Sequence, residues 1–201
     1  MTIKDASELR AIYGFPSGRA KDKVLTSLDK HAVHFIHTSP FLILSTTDSS
    51  GNLDASPRGG EPGFVAIANS NEILIPDFKG NNRIDSLVNI VESGKVGMIF
   101  LIPGIDTTLR INGSAIITTS VKALNHFSDS DKQPISCISV KVDEVFLHCA
   151  KAFMRSKLWN ADSMTNSEDF PTMGLMLKDQ LGTEGDPETR AAMLERYKKD
   201  L

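Results

Sequence analysis

The sequence predicts a mainly β, α+β domain in which a strand-rich middle is flanked by helices. Residues Phe41–Thr47 are dense in apolar and β-favouring side chains and run directly into the turn signal Asp48-Ser-Ser-Gly51. Further segments of the same texture follow at short intervals, separated mostly by Gly, Asn, Asp and Pro. Apolar residues at helical spacing appear before, within and after this stretch.

Taken in order, the first forty residues read as helical, with Val24, Leu25, Leu28 and Phe35 at roughly helical spacing and Pro40 as a stop. Strands are expected at 41–47, 53–56, 64–68, 72–75, 95–102, 107–119 and 136–148. Ile84, Leu87, Val88 and Val91 form an i, i+3, i+4, i+7 stripe, which predicts a short amphipathic helix over 82–92. Another helix is expected at 151–158, followed by a connection over 160–185 that contains Ser, Asp and Gly. Asp186-Pro187 reads as an N-cap with Pro at the first helical position. Met193, Leu194 and Tyr197 would supply the apolar face of that last helix, and Lys198 and Lys199 suit its negative end. Along 107–119, strand alternation puts Leu109, Ile111, Gly113, Ala115 and Ile117 on one face and Arg110, Asn112 and Ser114 on the other.

The chain has 201 residues, enough for one large domain or one domain with extensions. Its 40% apolar and 23% charged content is that of an ordinary globular protein. A formal net charge of −3 argues against nucleic-acid binding, which usually needs a basic excess. Lys4, Asp5, Glu8 and Arg10 leave no apolar signal-peptide core at the N-terminus, and the apolar runs at 41–44 and 96–105 are too short to span a bilayer. Two cysteines, Cys137 and Cys149, lie outside any CxxC pair, a usage that suits a reducing compartment. The expectation is a soluble, cytoplasmic protein without nucleic-acid or membrane partners.

The most informative stretch is Pro76-Asp-Phe-Lys-Gly-Asn-Asn-Arg-Ile-Asp85, which passes from a strand end through a glycine into the first turn of the predicted helix. A helix N-terminus offers free backbone N–H groups and partial positive charge to an anion. Gly80 permits close approach, Asn81 or Asn82 can cap the helix or donate an amide N–H, and Lys79 and Arg83 add two cations. Upstream, Ser56-Pro57-Arg58-Gly59-Gly60 brings a third cation and a hydroxyl, and arginine can hold a phosphate bidentately. The residues alone leave two readings open: a phosphate cradle, or a capped helix whose cations face solvent.

Four runs in fixed order bear on that choice: DASPRGGEPGF (54–64), ILIPDFKGNNRIDSLVNI (73–90), TLRINGSA (108–115) and VFLHCAKAFMRSKLW (145–159). Together they resemble flavin-binding relatives of pyridoxamine 5′-phosphate oxidase over roughly residues 20–160. The last run looks like the C-terminal signature of one branch of that group. The resemblance implies a six-stranded antiparallel split β-barrel with flanking helices. It implies a homodimer with flavin mononucleotide (FMN) at the subunit interface, and an oxidoreductase acting on a small-molecule substrate.

On that reading residues 1–40 are a helical extension, 41–160 the FMN-binding barrel, and 161–201 a C-terminal extension with a terminal helix. By resemblance Arg58, beside Ser56 and Pro57, grips the flavin phosphate. Asn81, Asn82 and Arg83 match a helix-start triplet that is usually Ser-Arg-Lys, so Lys79 would supply the missing cation. Arg110 would face the flavin or the partner subunit. Lys151, Arg155 and Trp159 fall at successive i, i+4 positions, a cationic and aromatic stripe whose Lys151 and Arg155 are candidates for the substrate side. By resemblance Trp159 would approach the isoalloxazine ring or the substrate side; otherwise it is an ordinary core or surface aromatic. No catalytic residue is assigned, because the cofactor carries the chemistry in such enzymes. The alternatives are a flavin carrier or redox sensor without turnover, and the same barrel holding haem or a deazaflavin.

Other constellations are set aside. His31, His34 and His37 recur every third residue, but steps of three drift around a helix and no carboxylate or cysteine cluster accompanies them, so no metal is expected. His148 and Cys149 are adjacent on a strand and point to opposite faces, which disfavours a nucleophile–base pair. No Gly-x-Ser-x-Gly, Walker A or Rossmann motif occurs.

Overall fold

In a computed structural model that describes residues 2–129 and 132–198, the strands form one antiparallel sheet of order β2-β1-β5-β6-β7-β4-β3. The strands are β1 (Phe41–Thr47), β2 (Leu53–Gly59), β3 (Ala66–Asn69), β4 (Glu72–Asp77), β5 (Lys95–Ile102), β6 (Ile105–Thr118) and β7 (Ser136–His148). The helices are α1 (Ala6–Tyr13), α2 (Arg19–Asp22), α3 (Lys30–Thr38), α4 (Asp85–Ser93), α5 (Val121–Leu124), α6 (Lys151–Ser156), α7 (Met173–Leu181) and α8 (Arg190–Tyr197). The mainly β, α+β class is as the sequence predicts. The sheet has the seven strands read from the residues, one more than the six-stranded barrel the resemblance implies, with the short run Ala66–Asn69 making its own ladder with β4.

Alternation organises the core. On β1, Leu42, Leu44 and Thr46 point inward while Phe41, Ile43 and Ser45 face out. The same period-2 rule buries Val96, Met98 and Phe100 on β5, and Leu109, Ile111 and Ala115 on β6. Ile138, Val140 and Val142 on β7 complete the layer, and Phe35 and Ile36 of α3 join the same cluster. Asp29 starts α3, its carboxylate accepting the Ala32 N–H at 2.8 Å. His31, His34 and His37 all lie on the exposed side of that helix.

The long strands β6 and β7 are bent by a bulge: Asn112 opposes Glu144 and Gly113 opposes Val142, leaving Asp143 as the extra residue. Gly113 sits so close to β7 that a Cβ there would overlap the Lys141 carbonyl oxygen. A glycine is therefore required where the sheet curls.

Three local expectations are corrected. Residues 23–28 are not helical: Leu25 forms a β-bridge with Val145, so backbone pairing to β7 outweighs the apolar spacing. The last helix begins at Arg190 with Thr189 as N-cap, whose hydroxyl accepts the Ala192 N–H, so Asp186-Pro187 lies before it. Lys199 lies outside the described residues. The stretch 160–185 holds a helix, α7, capped by Thr172 and ended by Gly182, signals that were legible but lacked a clear apolar period. Neither α1 nor α6, α7 and α8 carries a buried residue. Among the described residues no helix is long and apolar enough to cross a membrane.

Candidate functional site at the split of the sheet

The strand order leaves β2 at one margin of the sheet and β4 next to the other, with no ladder between them. A cleft of about 430 Å³ opens where they approach. Residues 54–58 of β2 form one wall, and the other is the segment from Asp77 through Leu87 that joins β4 to α4. Helix α4 is pinned across this opening. Its Ile90 is buried, its Asn89 amide donates to Thr46 Oγ1 at 3.0 Å, and its Ser86 hydroxyl donates to Asp54 at 2.5 Å. Gly94, at φ 65°, ends the helix by donating to the Ile90 carbonyl.

Seven of the residues singled out from the sequence meet here: Ser56, Pro57, Arg58, Lys79, Asn81, Asn82 and Arg83 all line this cleft. The local backbone differs from expectation. The helix begins at Asp85 instead of Asn82, and its N-cap position is Ile84, which makes no side-chain cap. Asn82 and Ile84 adopt φ of 59° and 46°, a left-handed conformation that a β-branched side chain disfavours. Asn81 does not cap the helix; its Oδ1 accepts the Arg83 N–H at 3.0 Å in a local turn. The residues of the first turn of α4 line the cleft, and no side chain caps the helix start.

The charges are unequally committed. Arg83 is exposed and bound to Asp85, which raises its guanidinium above its ordinary value. Lys79 is exposed. Arg58 is half-buried, and its Nε is shielded from solvent without a hydrogen-bond partner among the described residues. Desolvation raises the Asp77 carboxyl above its ordinary value, against the opposing pull of Arg58. Asp54, Asp77 and Asp85, all on the cleft wall, were not singled out from sequence. Three carboxylates spread over two strand ends and a helix start carry no linear signature.

Arg110, Lys151, Arg155 and Trp159 lie outside this cleft. Helix α6 ends at Ser156, and Lys157 turns left-handed at φ 52°, so the Lys151–Arg155–Trp159 stripe is broken before its last member. Trp159 instead stacks on Phe153 with ring centroids 5.8 Å apart and donates its indole N–H to the Ile105 carbonyl at 3.1 Å. Arg110 stands on the outer face of β6 against Phe146.

The family profile described as pyridoxamine 5′-phosphate oxidase matches residues 28–149. Among solved structures, HupZ of Group A Streptococcus aligns with 15% identity and a TM-score of 0.50, covering 60% of this chain and 93% of that one. A Clostridium acetobutylicum protein related to general stress protein 26 aligns at 8% identity and TM-score 0.45, over 59% and 85% of the two chains. The FAD binding protein of Mycobacterium smegmatis aligns at 12% identity and TM-score 0.44, over 62% and 97%. At 15% identity the HupZ likeness speaks for the fold alone. No match was found among curated proteins.

Proposed function

The chain belongs to the pyridoxamine 5′-phosphate oxidase family, and from that membership we propose that it is an FMN-dependent oxidoreductase working as a homodimer. The observation that carries the reading is Arg58. Arg58 lines the cleft with its Nε shut off from water and without an acceptor, which is costly, and a turn of the side chain onto an anion in the cleft would give the guanidinium the partner it lacks. The start of α4, which no side chain caps, and Lys79 line the same cleft. This donor set fits a phosphate monoester, and the ring system would extend from it toward the open sheet face.

That face supports the dimer. Pro57, Ile43, Ile99, Arg110 and Phe146 align in one cross-strand row from β2 to β7. Phe41, Ile43, Leu53 and Ile99 remain exposed on it, an apolar area suited to a second copy about a two-fold axis. When bound, the flavin supplies the electron transfer; the protein's part is to hold its phosphate, orient it and keep one side open to a small substrate. Free Cys137 and Cys149 suit a reducing, cytoplasmic setting.

Absorbance and mass spectrometry of the purified protein test the reading. A flavin spectrum with a copurifying mass of FMN supports it, and steady oxidation of NADH or NADPH favours an enzyme over a carrier. A Soret band, or a deazaflavin mass, overturns it.

A further inference from the structure

One carboxyl of the cleft has no part in holding a phosphate, yet it shares a face with Arg58. Cross-strand pairing sets Arg58 opposite Leu42, whose side chain is fully buried, so Arg58 points to the core side of β2. On β4, Asp77 follows the buried Ile73 and Ile75 at steps of two and points to the core side as well. Both residues are half-buried, and they line the cleft from opposite walls of the split. An anion seated there shares the space with a carboxyl as well as a guanidinium.

The three cleft carboxyls are not equivalent. Asp54 accepts from the Ser86 hydroxyl, and Asp85 pairs with Arg83. Among the described residues no hydrogen bond reaches the Asp77 carboxyl, and the ion pairs are Arg83–Asp85, Arg196–Glu188 and Lys198–Glu195. Arg58 attracts Asp77 from beyond contact distance, yet burial outweighs that pull and raises the carboxyl above its ordinary value. The other charged groups of the cleft are Asp54 on β2, Lys79 and Arg83 on the segment leaving β4, and Asp85 on α4. From β7 comes the Cys137 thiol, pushed up by burial and then by Asp77. A phosphate that draws the Arg58 guanidinium to itself removes the counter-charge of Asp77 and sets a second anion near it. Both effects favour the protonated carboxyl, and that form has an O–H to donate.

We propose that Asp77 determines the charge that the cleft accepts: ionised, it competes with a bound phosphate for Arg58, and protonated, it donates a hydrogen bond to that phosphate. Binding then draws one proton from solvent onto Asp77. The proposal rests on the reading of the cleft as a flavin-phosphate site and adds what that site selects. Because proton and phosphate are taken up together, Asp77 makes affinity fall as pH rises through its folded value. The phosphate's own second ionisation, at about pH 6, acts in the opposite direction, since a dianion attracts the cleft cations more strongly.

Fluorescence titration of the full chain with FMN between about pH 5 and 8 tests the proposal, on wild type and on Asp77→Asn. The amide of the variant stands in for the protonated carboxyl, and the phosphate's ionisation is common to both proteins. The ratio of wild-type to variant Kd should climb with pH by about tenfold, which corresponds to a carboxyl midpoint raised by about one pH unit on binding. With riboflavin, which lacks the phosphate, the ratio should not change with pH. Carboxyl-carbon magnetic resonance of wild type reads the same coupling without flavin and without a variant. There, inorganic phosphate should move the Asp77 midpoint upward relative to sodium chloride at matched ionic strength. A ratio flat with pH, an equal climb with riboflavin, or an Asp77 midpoint indifferent to phosphate overturns the proposal and leaves the flavin reading standing. Absence of FMN binding to either protein at every pH removes the flavin reading, and the proposal with it.

Discussion

Replacing Arg58 by alanine separates a binding role from a structural one, because the two predict opposite changes in the free protein. Arg58 Nε is shielded from water without a partner, so its removal takes away an unsatisfied donor instead of a formed hydrogen bond. Deleting such a group is close to neutral or mildly stabilising. At a pH where Asp77 is protonated, so that its attraction to Arg58 is absent, the melting temperature of apo Arg58→Ala should therefore equal or exceed that of wild type. Its affinity for FMN should fall, since one buried charge-assisted contact is worth about 2 kcal/mol, roughly thirtyfold in Kd. Lys79→Ala should cost less, because Lys79 is exposed and surface charges contribute only ~0–1 kcal/mol. Arg58→Lys should recover part of the loss, keeping the charge but not the fork. Riboflavin, without the phosphate, should bind more weakly than FMN to wild type and about equally to wild type and Arg58→Ala. Fluorescence titration of apo-protein reads all of these. Wild-type FMN affinity in Arg58→Ala, or equal binding of riboflavin and FMN to wild type, refutes the reasoning.

Other outcomes follow from the same geometry. Asp77→Asn should stabilise the protein at neutral pH. Its raised native value favours the protonated form, so its contribution is present below the unfolded carboxylate range and lost as pH rises through the folded value. Melting curves between about pH 4 and 7 should decline less steeply for the variant, and a parallel decline removes Asp77 as the cause. Gly113→Ala should destabilise by several kcal/mol, on the order of 3 or more, because the new Cβ meets backbone that cannot move cheaply; chemical denaturation measures it. Ile99→Asp on the exposed row should convert the proposed dimer to monomer and lower flavin occupancy with it, read together by sedimentation with absorbance detection. A wild-type monomer fully loaded with flavin would end the shared-interface idea.

The cations and asparagines of the cleft were legible because each carries local chemistry (a glycine-containing turn, an arginine at a strand end, asparagines before a helix), whereas the carboxylates Asp54, Asp77 and Asp85 were not. Strand existence was legible for a similar reason, since period-2 burial is written directly into runs such as Leu109–Ala115. The helix start was not. The apolar stripe at Ile84, Leu87, Val88 and Val91 has the right period, yet Ile84 sits in a left-handed conformation outside the helix. Where α4 begins is decided by how Ser86, Asn89 and Ile90 lock onto β2, β1 and the core.

Likewise, helical spacing at 24–28 yields to a backbone bridge with Val145, and the stripe from Lys151 to Trp159 is cut by a turn at Lys157. The sequence by itself determined the class, the strand-rich middle and the chemistry of the cradle, because these depend on neighbours along the chain. Only the tertiary structure decided that the split lies between β2 and β4, and that Arg58 is left without an acceptor. It also decided that Arg110 meets Lys23 and Phe146 on the outer face. Those facts depend on strand order and on desolvation, which arise from contacts between residues far apart in sequence.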